Sequence, residues 1–377
     1  MKKTLFLMML LFVSITTVMG QVFSNKVVGK NKEDLKDSLK VSDYPYLLPI
    51  GGEQVVQMGF DLPYSAGLSV QYINQKSDLI LDNLMIGFNH GEMFGLEEIL
   101  QFNEVTASTN GMNFRPDVWV LPFLNVYGIF ARSTNQTNVD FGVYLPGNFN
   151  ISDGNLDWSW EKAFDMQTEA TFEATTFGFG MTPTVGVGGG FFALDMNWTW
   201  SDIPELDKPA SIFVFGPRLG KSFHFGKPEQ NLSVWVGGFR VKMGSSTKGS
   251  LEISELFPDW DDKISTGLDK VEEGQQHVND WWNELPSGIP GVGQNNPVNK
   301  AKKAAADKAF DIAGTALDAA SRAESVQYSL EKRQANMWNF LIGSQYQLNK
   351  HFMVRAEFGI LGTRQQFIGG LQYRFGL

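Results

Sequence analysis

The sequence predicts an all-β fold: an antiparallel transmembrane β-barrel of about twelve strands, within a range of about 10–14, carrying one inserted α-helical hairpin. Three observations predict it. The C-terminal forty residues alternate apolar and polar side chains in successive segments, the N-terminus has the pattern of an export signal, and one internal stretch switches to helical periodicity.

Residues 1–20 read as a cleaved signal peptide. Lys2 and Lys3 form a positive n-region, Leu5 to Val18 is apolar apart from Ser14, Thr16 and Thr17, and Val18 and Gly20 are small enough for cleavage before Gln21. The run is shorter than the ~20 apolar residues a spanning helix needs. Losing the two lysines moves the formal charge from −10 to −12. A chain that acidic, without a Lys/Arg stripe, argues against a nucleic-acid partner. It has no cysteine, which excludes disulfides and thiolate metal sites. No other segment reaches 18 consecutive apolar residues, which excludes a helical bundle in the inner membrane but not a barrel, whose strands average out on a hydropathy scale. Thirty Phe, ten Trp and thirty-nine Gly suit interface girdles and tight turns.

The strands are clearest at the C-terminus. Phe367, Gly369, Leu371, Tyr373, Phe375 and Leu377 share one face, with Gln366, Gln372 and Arg374 on the other. Phe352, Val354, Ala356, Phe358 and Ile360 alternate with Met353, Arg355, Glu357 and Gly359. Trp338, Phe340, Ile342, Tyr346 and Leu348 alternate with Asn339, Leu341, Gln345 and Gln347. A soluble sheet with one wet face alternates in the same way. The aromatic richness of the apolar faces and the aromatic C-terminal strand favour the barrel. Pairing Leu348 with Phe352 leaves Asn349-Lys350-His351 as a three-residue hairpin loop.

Upstream, residues 231–245 form a strand whose apolar set changes parity at Gly237-Gly238, as a bulge produces, from Leu232, Val234 and Val236 to Phe239, Val241 and Met243. Residues 211–225 and 191–200 are strands, and residues 168–186 form another that turns at 187–190. Pro122 is disfavoured inside a ladder, so residues 122–125 are read as an inner turn. Even strand parity then makes 146–165 an outer loop. Residues 67–75, 80–88 and 95–106 are weaker candidates. Residues 21–62 read as a periplasmic lead-in whose polar part is Asn25 to Ser42, and residues 63–377 as the barrel.

The stretches Val118-Trp-Val-Leu-Pro-Phe-Leu-Asn-Val-Tyr-Gly-Ile and Leu62-Pro-Tyr-Ser-Ala-Gly-Leu-Ser-Val, with the closing Tyr373-Arg-Phe, resemble a family of uncharacterised outer-membrane barrel proteins of Gram-negative bacteria, the Bacteroidetes included. The resemblance covers most of the chain outside 250–335. It implies the barrel fold and carries no activity.

Residues 251–335 read as the helical hairpin. Ile264, Leu268, Val271, Val278, Trp282 and Leu285 make one stripe, residues 286–299 are Pro/Gly-rich, and Phe310, Ala313, Leu317 and Ala320 recur at three and four. Topology places the hairpin on the outer side, as a surface domain or folded back into the lumen. Trp281 and Trp282 are candidates for an interfacial anchor, for packing or for a ligand platform.

Little points to chemistry. His90, His224, His277 and His351 lack metal or triad spacing, and Gly220-Lys221-Ser222 has Phe215 where a phosphate loop needs its first glycine. No cofactor, metal or catalytic residue is expected, and the chain is read as a non-enzyme. The candidate functional residues are the lumen-lining Gln345, Arg355, Glu357, Gln372 and Arg374, with Gln345, Arg355 and Gln372 side by side across three strands. In a narrow barrel they form a plug of ion pairs; in a wide one they line water and set ion preference. Two functions follow: a channel or transporter for small solutes, plugged or gated by the hairpin, or a non-conducting surface barrel whose hairpin binds a partner. The expected partners are outer-membrane lipid, the barrel-assembly machinery through the C-terminal strand, and a solute or surface partner.

Overall fold

In a computed structural model, the described residues are 44–377 except 58–61, 97–98, 153–154, 188, 205, 226–228, 245, 254–258 and 361. The signal peptide and the polar stretch Asn25 to Ser42 lie outside them.

Among the described residues, thirteen strands form one antiparallel system. They are β1 (Ala66–Phe88), β2 (Phe94–Gly95), β3 (Leu100–Leu121), β4 (Leu124–Ser152), β5 (Asn155–Val187), β6 (Gly190–Asp202), β7 (Ala210–His224), β8 (Asn231–Met243), β9 (Ser246–Glu252), β10 (Ser325–Gln334), β11 (Trp338–Gln347), β12 (Phe352–Ile360) and β13 (Arg364–Phe375). Ten of them close a ring, β1-β3-β4-β5-β6-β7-β8-β11-β12-β13, in which β1 joins β13 from Ala66↔Phe375 to Ser77↔Arg364. Closure removes the edges that a hydrocarbon environment would leave unpaired.

The ring continues on one side as a rim. β4 and β5 run 29 and 33 residues, far beyond the ~9–11 that a tilted strand needs to cross a bilayer. Above the β12–β13 hairpin, β1 exchanges its neighbour. Its second half pairs with β10 from Leu79↔Gln334 to Phe88↔Val326, after an irregularity where Asn83 takes φ 52°, and β10 pairs with β9.

The two levels have opposite polarity. At ring level the outward residues of β1, Leu68, Val70 and Tyr72, are exposed and apolar, while Ser69 and Gln71 are buried inside. Four residues on, the outward positions are Asn74 and Lys76, and Leu79 and Leu81 face in. β4 follows suit: outward Phe130 gives way to Arg132 and Thr134, and the inner face ends in buried Phe141, Val143 and Leu145. Outward rings line up across β5, β6 and β7 near the upper border, with Phe179–Trp198 at 5.3 Å and Trp198–Phe213 at 5.1 Å between centroids. Phe225–Tyr346 and Phe352–Tyr373 mark the lower border. An apolar belt between two aromatic girdles is the outer face of a membrane barrel; above it, the molecule is arranged for water.

Two helices sit on the rim at the end opposite the C-terminus: α1 (Trp260–Glu284) and α2 (Pro297–Ser321). Asp261 and Asp262 complement the N-terminal dipole of α1. Pro297 opens α2, and the Asn296 side chain caps it by accepting from the Val298 N–H at 2.9 Å. Their apolar faces pack on the inner face of β4 and β5, around Phe141, Val143, Leu145, Leu156 and Met166. Phe310 is fully buried against Gly274, where a Cβ would stand 2.6 Å from its ring. At the other end Leu48 N–H donates to the Leu377 carbonyl and Ile50 N–H to that of Val120, tying the lead-in to the base of the ring.

The barrel is all-β as expected, and the turn at 349–351 stands where parity put it; the turn expected at 122–125 is confined to Pro122-Phe123, because Leu124 and Asn125 already belong to β4. Four details differ. Residues 146–165, expected as a loop, belong to β4 and β5. The candidates 67–75 and 80–88 are one strand, β1. The insertion 251–335 is not wholly helical, because β10 and the end of β9 flank its helices. No parity change occurs at Gly237-Gly238: the register of β8 with β7 is continuous, and Phe239 and Val241 turn inward to pack with Phe191, Trp235 and Leu341.

Candidate functional site

At belt level the inner face of the ring is polar because each strand alternates and lipid takes the apolar side. The enclosed charges pair. Arg218 of β7 holds Glu357 of β12 through Nε and Nη2, both 2.8 Å from Oε1, and reaches Asp195 of β6 through Nη1. Arg355 Nη2 lies 2.7 Å from Glu357 Oε2, and the Trp235 indole N–H donates to Oε1 at 3.3 Å. The Thr182 hydroxyl donates to Asp195. Two arginines and two carboxylates therefore neutralise each other across the lumen. Gly343 makes room for the indole, since a Cβ there would come within 2.3 Å of it.

A second group lies nearer the termini. Asp117 of β3 accepts from Gln372 Nε2 at 2.7 Å and Asn125 Nδ2 at 2.8 Å, and pairs with Arg374 at 3.1 Å. The Arg374 Nε donates to the Tyr64 carbonyl at 2.9 Å. Arg115 lies 3.7 Å over the Tyr127 ring, whose hydroxyl donates to Asn197 at 2.6 Å. Between the groups remains a cavity of about 150 Å³, whose lining includes Ser69, Gln71, Gln345 and Arg355.

The structure places all five candidate residues on the lumen face. Glu357 and Arg355 join the first group, Arg374 and Gln372 the second, and Gln345 lies opposite Arg355 in register with its amide 3.3 Å from the Met353 sulfur. Gln372 is not beside Arg355, which faces Gly370; it sits opposite Met353, one inward step closer to the C-terminus. Sequence reasoning missed Asp117, Asp195 and Arg218. Their signal was available: each is a charge at an inward position of a strand whose alternate residues are aromatic or aliphatic. Trp281 and Trp282 are not membrane anchors. Trp281 is buried in the helix–sheet core and Trp282 packs against it, beyond the apolar belt. Among the described residues, no three His, Asp or Glu side chains cluster as metal ligands.

No protein-family model matches the chain, and no curated protein sequence matches it. Among solved structures, it overlaps the β domain of the Bordetella autotransporter BrkA at 8% identity, covering 82% of this chain and 100% of that one, with a TM-score of 0.33. The translocator domain of the autotransporter NalP from Neisseria meningitidis matches at 8% identity over 94% and 99%, TM-score 0.30. An outer membrane channel from Pseudomonas putida F1 matches at 10% over 83% and 96%, TM-score 0.26. Overlaps this loose add nothing to what the strand pairing shows. The closed antiparallel ring, its apolar belt and its two girdles are those of an outer-membrane β-barrel.

Proposed function

We propose that the chain is a non-conducting outer-membrane barrel that holds a hairpin-capped module at the cell surface. The observation that carries this reading is the ionic layer across the lumen. The side chains of Asp195, Arg218 and Glu357 are 9%, 13% and 5% exposed, and each is engaged by a partner from another strand. Barrel ends lie in the periplasm, so the rim and its helices face outward. The tip of the hairpin presents Ile289, Val292 and Val298 to solvent, a surface suited to a partner. The strand β13, aromatic and terminal in the ring, is the segment that would engage the assembly machinery. The proposal includes no catalytic step.

The test is conductance in planar bilayers. The full chain and a variant lacking residues 255–330 should both be silent; steady ion-conducting steps in either would overturn the reading. A gated solute channel is the second reading, favoured by the polar cavity between the two ionic groups. It requires that Glu357→Gln, which unbalances the layer, opens a measurable conductance.

A further inference from the structure

Between the ionic layer and the helical cap, the rim surrounds a half-open chamber of about 210 Å³. It stands above the apolar belt, so its walls separate apolar side chains from water, not from lipid. Leu81 of β1, Val139 of β4, Phe172 of β5 and Leu251 of β9 are typical of its lining. For comparison, an apolar cavity of ~150 Å³ in a packed core binds benzene.

Among the described residues, one cation enters this apolar wall. Lys332 of β10 lies opposite Leu81 in register and lines the chamber. Its sequence neighbours point the other way, where Arg333 Nε holds Asp82 Oδ2 at 2.9 Å on the outer face. Lys332 itself has no ion pair or hydrogen bond among the described residues, and burial alone pushes its ammonium below the usual lysine range. A half-buried ammonium facing hydrocarbon calls for an anion to accompany it.

The chamber also has a way in. The β5–β6 ladder ends at Thr175↔Asp202, well below the upper part of β5. Among the described residues, the outer edge of β9 meets the β6–β7 connection at the bridge Leu206↔Gly249 and through the Asp207 N–H to Lys248 carbonyl bond of 3.3 Å. On that side, Ile203 and Leu206 close the chamber with a loop where elsewhere it has a hydrogen-bonded wall. Loop movement needs far less than unzipping a ladder.

We infer that this chamber is a binding site for a single-chain amphipathic anion, a medium-chain alkyl carboxylate, with its tail among Leu81, Val139 and Phe172 and its carboxylate on Lys332. Size sets the chain class, the apolar wall sets the tail, and the lone ammonium sets the sign of the head. The inference does not depend on whether the lumen conducts.

The test uses the full chain in lipid nanodiscs, free of alkyl detergent, with decanoate, decanol and decylammonium as probes in calorimetric titrations against empty nanodiscs. Decanoate should bind saturably, and Lys332→Met should weaken it about tenfold or more while leaving decanol unchanged. Leu81→Trp, which fills the chamber, should abolish both. Retention of the compact, heat-modifiable band on a gel shows that each variant still closes its ring. Equal decanoate affinity in the parent and Lys332→Met would overturn the inference, as would decylammonium binding as well as decanoate, or no saturable signal above empty nanodiscs.

Discussion

Arg218 and Glu357 meet across the lumen with Nη2 2.8 Å from Oε1, although their strands β7 and β12 are separated in the ring by β8 and β11. The contact crosses the interior between strands that share no hydrogen bond, and it ties together walls three strands apart. Glu357 also receives Arg355 and the Trp235 indole, so one carboxylate anchors three side chains.

Glu357→Gln should therefore leave the buried guanidinium of Arg218 and the partly exposed one of Arg355 short of a counter-charge. The expected loss is about 3–5 kcal/mol, the usual cost of removing one partner of a buried pair. Urea unfolding of the barrel from lipid vesicles reads it. Adding Arg218→Met should recover part of the loss, and strict additivity of the two changes would show that the pair does not act as a unit.

Gly343→Val should act on the same group without touching a charge. The valine side chain would occupy the space of the Trp235 ring and push the indole away from Glu357. A red shift in tryptophan emission, with a lowered unfolding midpoint, is the expected signature.

The border between belt and rim is testable on one strand. Val126→Arg places a charge on the lipid face of β4 between the two girdles and should cost about 2–4 kcal/mol, as arginine does near mid-membrane. Thr134→Arg, four outward positions further along, should change stability by less than about 0.5 kcal/mol, as surface substitutions do. Similar losses at both sites would mean that the bilayer extends over the rim.

The cap depends on Phe310, which is fully buried between the helices and the sheet. Phe310→Ala should destabilise the hairpin by about 3–5 kcal/mol. Limited proteolysis should then cut within 286–296 faster, while the ring remains heat-modifiable. An unchanged cleavage rate would mean that the helices hold without this contact.

Lys332 gives the rim a pH dependence. Burial favours its neutral form, so between its lowered value and the ordinary ~10.4 the folded chain binds fewer protons than the unfolded one. Stability of the ligand-free protein should rise with pH in that window, and Lys332→Met should flatten the rise. Other charged groups nearby are Glu331, exposed beside it, and Asp82 and Arg333, paired on the outer face; Tyr328 shares the chamber wall. Decanoate affinity should fall over the same window, since the ammonium that holds the head is lost. Thermal midpoints and titrations at several pH values measure both.

Much of the ring was legible because lipid enforces alternation. Leu348 and Phe352 had to face the same way, and that alone placed the loop at 349–351. The rim was not legible for the complementary reason. Leu79 and Leu81 lie on the face that holds Ser69 and Gln71 lower down, so continuing one strand looked like starting another. Residues 146–165 carry Trp158 and Trp160 among polar neighbours and resembled a loop, because their apolar side is covered by helices more than a hundred residues away. Phe239 and Val241 misled in the opposite sense: they are apolar residues inside the lumen, packed on Trp235 and Leu341, in a position where the alternation rule expects water. The ionic layer was half visible. Arg355 and Glu357 stood on an evident strand, whereas Arg218 needed the inward parity of β7 to be weighed against the aromatic residues around it.

The change of neighbour along β1 has a consequence for assembly. Its first half waits for β13 and its second for β10, partners that are synthesised about 250–300 residues later. Ring closure and completion of the rim thus hang on the same strand, at the same late moment. Until then the apolar lining of the rim lies open to the periplasm beside an unsealed edge. The nascent half-barrel is then sticky on both faces, at different heights. Any substitution that slows the capture of β1 should therefore appear first as aggregation during export, well before it affects the stability of the finished barrel.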